Sequence, residues 1–92
     1  MTSLNIQLVS AIFANDSSKI RLLLEQGIDL NDCGFFNIPP LIRAVLYGKS
    51  RALQALIEGG ADKNIKDDQG RTALELAKKY NHPEIVKILL KN

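Results

Sequence analysis

Shifted against itself by 33 residues, the sequence falls into register. Leu8, Leu41 and Leu74 coincide, as do Ala11, Ala44 and Ala77. So do Ile20, Leu53 and Val86, then Leu23, Leu56 and Leu89, then Leu24, Ile57 and Leu90. Five aligned triplets, each aliphatic or alanine throughout, exceed what chance supplies in 92 residues. Gly27 also falls on Gly60, Asp29 on Asp62, Asn31 on Asn64 and Tyr47 on Tyr80. A period of this length marks stacked units, each a supersecondary element that cannot bury its apolar face alone and leans on its neighbours.

The spacing within each unit is helical. Ile20, Leu23 and Leu24 sit at i, i+3 and i+4, and so do Leu53, Leu56, Ile57 and Val86, Leu89, Leu90. A shorter helix precedes each, carrying Leu8, Ala11 and Ile12, then Leu41, Ala44 and Val45, then Leu74 and Ala77. The recurring alanine lets two helices approach closely. Asn15-Asp16, Gly48-Lys49 and Asn81-His82 separate the two helices of a unit, and asparagine and glycine accept the left-handed conformation that ends a helix. Ser17 or Ser18, and Ser50, are candidate caps for the second helices, while Pro83 suits a first turn. Gly27 and Gly60 stop those helices, and the polar stretches that follow, 29–37 and 62–70, carry turn chemistry. Pro39-Pro40 and Thr72-Ala73 open the next helices.

With 46% hydrophobic and 24% charged residues the chain can form a core and is not disordered by composition. A net charge of +2, with the 12 basic residues interleaved with acids, leaves no electrostatic footprint for nucleic acid. Lys63, Lys66, Arg71, Lys78 and Lys79 form a basic strip, but Asp62, Asp67 and Asp68 interrupt it. The single cysteine, Cys33, suits a reducing compartment, hence an expected cytoplasmic location. No basic stretch followed by an apolar run opens the chain, and the Leu22-Leu23-Leu24 run is too short to span a membrane.

These residues resemble ankyrin repeats. Gly70-Arg71-Thr72-Ala73-Leu74-Glu75-Leu76-Ala77 is similar to the family's G-x-T-P-L-H-x-A opening, with Ala73 for proline and Glu75 for histidine. Glu84-Ile85-Val86-Lys87-Ile88-Leu89-Leu90 resembles its second helix. Gly60-Ala61-Asp62-Lys63-Asn64 resembles the start of its hairpin finger, and Gly27-Ile28-Asp29-Leu30-Asn31 is a weaker copy. The resemblance implies a mainly all-α fold, an ankyrin-repeat solenoid of three helix–turn–helix units joined by β-hairpin-like fingers. Residues 1–92 then form a single domain, with an N-terminal cap over about 1–33, a central unit over 34–66 and a C-terminal cap over 67–92. Asn37-Ile38-Pro39-Pro40-Leu41 lacks the usual glycine and threonine, so the second unit opens unusually. Gln7, Ser10 and Asn15 are expected to supply the polar outer face of the first cap, and Lys78, Lys79, Lys87 and Lys91 that of the last.

The family grips partners with its finger tips and the exposed side of its first helices, a concave surface. Carried onto this chain, the resemblance points to Phe13, Phe35, Phe36, Ile38, Leu46, Tyr47, Arg71, Lys79 and Tyr80 as partner-binding residues. All five aromatic residues lie in that set, and none occupies a repeated aliphatic position. Exposed aromatics are enriched at interface hot spots. The Phe35-Phe36 pair, in a loop otherwise built of polar and small residues, is the sharpest feature; adjacent residues in extended chain point opposite ways, so one of the two is expected to fold inward.

No enzyme is expected. His82, the only histidine, sits in an inter-helix turn where the resemblance implies a structural role. Pairing it with Cys33 as base and nucleophile would join different units. Asp67-Asp68 is explained by turn formation, and no glycine-rich phosphate loop is present. No cofactor and no metal site is expected, since one cysteine and one histidine are too few for a zinc centre. Arg43 is expected to lay its stem on apolar surface with its head in water. Taken as running from Met1 through two caps, the sequence implies a free-standing binder of another protein, with no nucleic acid and no membrane. The role expected first is an inhibitor or immunity-type protein; an adaptor or assembly factor, or a homodimer, are the alternatives.

Overall fold

The computed structural model describes residues 3–30 and 38–91. Six helices follow in order: α1 (Ser3–Phe13), α2 (Ser17–Glu25), α3 (Pro40–Leu46), α4 (Ser50–Glu58), α5 (Ala73–Lys79) and α6 (Pro83–Leu90). Successive pairs pack as α1 on α2, α3 on α4 and α5 on α6. Between units α1 meets α3 and α3 meets α5, while α2 meets α4 and α4 meets α6. The result is two layers, first helices in one and second helices in the other.

One backbone device is used three times to turn the chain within a unit. Asn15, Gly48 and Asn81 all adopt positive φ, at 55°, 68° and 57°. The next N–H reaches back to the recurring alanine: Asp16 to the Ala11 carbonyl, Lys49 to Ala44 and His82 to Ala77, each at 2.9 Å. This is the Schellman arrangement that satisfies otherwise orphaned helix-end carbonyls. The alanine therefore supplies both a buried small side chain and the accepting carbonyl.

The helix starts depart from the expected serine caps. Ser17 and Ser50 are already the first helical residues, so Asp16 and Lys49 hold the cap positions. Asp16 does the work itself, its Oδ1 accepting from Lys19 N–H at 3.0 Å. Lys49 has no acceptor to offer. Instead Asn15 Oδ1, from the preceding unit, accepts from Ala52 N–H at 2.9 Å. One unit thus caps a helix of the next. Asn15 was expected on the outer face of the first cap; it is drawn inward for this task.

The core runs through both layers, from Leu8, Ala11 and Ile12 through Ile20, Leu23, Leu41, Ala44, Val45, Leu53 and Leu56 to Leu76, Ala77 and Ile85. Burying each such aliphatic side chain contributes roughly 1.5–3 kcal/mol. In the last unit Ala73 and Leu76 are buried. Their register partners in the first unit are Gln7 and Ser10, which line a shallow groove with Asp16 and Lys19. No described helix packs on that side of α1, and there the same positions are polar. Arg43 is 3% exposed, head included, so its expected reach into water does not occur. The central unit is covered from both sides, which leaves no route outward.

No strand occurs among the described residues; the finger between α4 and α5 holds one antiparallel bridge, Lys66 to Thr72. No described helix is long and apolar enough to cross a membrane.

Candidate protein-binding surface

Three ring-bearing residues stand at the same end of their units. Phe13 closes α1, while Tyr47 and Tyr80 are the residues immediately after α3 and α5. Phe13 is 62% exposed, Tyr80 46% and Tyr47 37%. Phe13 and Tyr47 pack together with ring centroids 5.1 Å apart and planes tilted by 53°. Tilted pairs of this kind exploit the ring quadrupole. Tyr47 is held from below as well, its hydroxyl accepting a long 3.5 Å hydrogen bond from Arg43 Nη1. The inter-helix turns thus present a row of rings, fixed by the helix ends beneath them.

Beside the row, α1 adds residues that the repeat pattern hides. Ile6, 50% exposed, lines an open apolar groove with Val9, Phe13 and Ala14. Ile6, Val9 and Phe13 recur at i, i+3 and i+7, a second apolar stripe opposite Leu8, Ala11 and Ile12. That spacing is visible in the sequence once the helix is known. It was masked because the repeated positions alone account for the helix.

Other expected site residues are placed differently. Ile38 and Leu46 are half-buried and pack against the core. Arg71 is half-buried too, and its Nε donates to Asp67 Oδ2 at 2.8 Å. Asp67 organises the finger: its Oδ1 also accepts from Gln69 N–H at 3.0 Å and Arg71 N–H at 2.8 Å. Partial burial acts to raise the Asp67 pKa, but these hydrogen bonds and the guanidinium outweigh it and hold the carboxyl below its ordinary value. Arg71 is pushed up, chiefly by the Asp67 side-chain hydrogen bond. Lys79 is exposed, its Nζ 5.6 Å from the Tyr80 ring centroid. Phe35, Phe36 and Cys33 lie outside the described residues.

The next feature along α5 is a capping box. Thr72 Oγ1 accepts from Glu75 N–H, and Glu75 Oε1 accepts from Thr72 N–H, both at 3.1 Å. The backbone hydrogen bond from Thr72 lowers the Glu75 pKa. Glu75, which stands where the family motif has histidine, therefore serves the helix start. His82 packs its ring against Gly48, where an added Cβ would lie 2.8 Å from Cε1. Among the described residues no group of three or more His, Cys, Asp and Glu side chains gathers into a metal-holding cluster.

Comparison with known proteins agrees with this architecture. A family model described as ankyrin repeats in three copies matches residues 8–92. An E3 ubiquitin-protein ligase of Arabidopsis thaliana is 34% identical over 74% of this chain and 4% of its own. A palmitoyltransferase of Candida albicans is 34% identical over 77% of this chain and 9% of its own. Ankyrin repeat domain-containing protein 46 of Rattus norvegicus is 31% identical over 90% of this chain and 29% of its own. The chain spans less than a third of the length of each of these relatives. With three stacked helix pairs, a period of 33 residues and a match over nearly its whole length, this chain belongs to the ankyrin repeat family, whose repeats are in general protein–protein interaction modules.

Proposed function

We propose that the chain, as a single domain over residues 1–92, binds a partner protein on the exposed side of its first helices and acts by occupying it, as an inhibitor or immunity-type protein. The observation that carries the reading is the apolar stripe of exposed Ile6 and Phe13 with half-buried Val9 between them, joined to Tyr47 by ring packing. An apolar, aromatic surface of this kind is costly to leave wet and is where interface energy concentrates. Tyr80, Lys79 and Arg71, with the half-buried Ile38 and Leu46, complete the proposed surface. Phe35 and Phe36 belong to the same proposed surface by sequence position. The cytoplasm is the proposed location, supported by the single cysteine.

The test is capture of partner from the native cell with the wild-type chain and with a Phe13→Ala/Tyr47→Ala double variant. Expected is loss of the captured protein with only a small drop in melting temperature, together with reduced activity of the captured protein while bound. Undiminished capture by the double variant refutes the surface. Capture that leaves the partner fully active, with a third component held alongside, makes the chain an adaptor or assembly factor instead.

A further inference from the structure

The proposed surface changes electrical character along the stack. The helix α1 carries no charged residue, and its outer groove is lined by Ile6, Val9, Phe13 and Ala14 with one hydroxyl, that of Ser10. Further along, ammonium groups lie over the rings. Lys49 Nζ sits 5.7 Å from the Phe13 centroid, and Lys79 Nζ sits 5.6 Å from that of Tyr80. Cation–ring contacts at exposed sites are worth only about 0.5–1 kcal/mol.

Among the described residues neither ammonium forms an ion pair with a carboxylate. Arg21 pairs with Glu58, Arg71 with Asp67 and Lys87 with Glu84. Glu75 stands four residues before Lys79, the spacing at which a helical ion pair forms. It turns instead to the Thr72 N–H. Asp67 is taken by Arg71 and by two backbone N–H groups, and Asp16 by Lys19 N–H. These three acids are committed to a capping box, a finger turn and a helix cap, while exposed Asp68 lies near Arg71 rather than in an ion pair with either lysine.

We infer that the partner segment seated here is an acidic amphipathic helix, with apolar residues on the Ile6–Val9–Phe13 stripe and carboxylates at Lys49 and Lys79. This rests on the proposed binding surface and adds the partner's chemistry to it. A neutral segment would bury two ammonium groups without compensation, and a basic one would meet repulsion. A second copy of this chain fits poorly, because a two-fold contact sets the same patch against itself and brings like ammonium groups together. Packed helices lie about 8–10 Å apart, so three first helices extend roughly 16–20 Å from axis to axis. At about 1.5 Å per residue, that matches a partner helix of roughly 11–13 residues.

The test is selection from a display library of helix-forming peptides of about that length, randomised on one face, against the full chain. Enriched peptides are then measured by fluorescence anisotropy. Expected are clones with aliphatic or aromatic residues and a net negative charge. Their affinity should fall at least about tenfold against a Lys49→Glu/Lys79→Glu variant and weaken as salt rises. Lys49→Gln/Lys79→Gln, a milder change, should show the same trend should the charge reversal disturb folding. Enriched peptides that are neutral or basic, or an affinity indifferent to both lysine variants but lost in Phe13→Ala, overturn the acidic partner and leave the surface standing. Binding unaffected by Phe13→Ala, or no enrichment at all, removes the surface itself. A dimer seen by sedimentation, broken by Phe13→Ala and unable to bind any library peptide, assigns the face to a second copy and also overturns the inference.

Discussion

The helices α1 and α5 occupy the same place in their repeats, yet they share little beyond a leucine and an alanine. Ala11 and Ala77 are both buried, whereas buried Leu8 and Ile12 of α1 correspond to half-buried Leu74 and exposed Lys78 of α5. Outward, Ile6 corresponds to Thr72, Val9 to Glu75 and Phe13 to Lys79. A stripe of three apolar residues in the first unit has become a cap, its acidic partner and a cation lying over a tyrosine ring in the third. The inner residues answer to packing against the neighbouring unit, which lies on opposite sides of the first and third units. The outer ones answer to solvent and to whatever binds there. Within one fold the two sides of a helix are therefore under different demands, and the difference between α1 and α5 is where a binding preference can be written.

The strongest way to break this comparison is to truncate neighbours on opposite sides of α1. Ile12 is fully buried and Phe13 mostly exposed. Ile12→Ala should cost about 3 kcal/mol of unfolding free energy in denaturant titration, whereas Phe13→Ala should cost only about 1 kcal/mol, the worth of its ring pairing with Tyr47. Equal losses would make the outer stripe part of the core.

A smaller effect sharpens the contrast between the turns. Gly48 combines a φ of 68° with close packing of the His82 ring. Gly48→Ala should therefore cost about 2 kcal/mol. The companion change His82→Ala in that background should recover the packing part of the loss but not the conformational part. Full recovery would show that backbone strain at this turn is negligible.

Next comes the cap lent across units. Asn15→Ala should cost about 1–2 kcal/mol, since it leaves the Ala52 N–H without its acceptor and puts alanine at positive φ. Hydrogen exchange should speed up in the first turn of α4, although the substitution is in the unit before it. Exchange faster only in α1 and α2 would remove the lent cap from the account.

The gentlest test concerns pH and the third unit. Asp67 and Glu75 both have carboxyls held below their ordinary values of 3.8 and 4.5. For a lowered folded pKa the stabilisation is present above the unfolded value and is lost as pH falls through the folded one. The melting temperature should thus decline on acidification below about pH 4.5. An Asp67→Asn/Glu75→Gln variant should start lower and decline less steeply. Parallel curves for the two proteins would mean that the acid sensitivity lies elsewhere.

Much of the site was legible in part. The surface positions of Phe13, Tyr47 and Tyr80 follow from their place just outside the repeated aliphatic set, and the structure finds them exposed. Ile6 and Val9 were not singled out, because an apolar residue on a helix reads as core until the core side is known. Ile38 and Leu46 follow the opposite course: both look available, and both are half-buried by packing against the core. Arg71 reads as a free basic residue, while in the finger it is the counter-ion of Asp67.

What the sequence determined alone is local. The helical spacing, the left-handed Asn15, Gly48 and Asn81, and the proline at the start of α6 depend on residues within about one turn of each other, and those interactions are encoded by neighbours in the chain. The period then says that such units stack. Tertiary structure decided the contacts made one period away: Asn15 reaching Ala52, His82 lying on Gly48, Phe13 meeting Tyr47, and Lys49 crossing to Phe13. Those depend on how closely and at what rotation successive units settle, a distance that no single repeat specifies because it is set by the side chains of two units packing together.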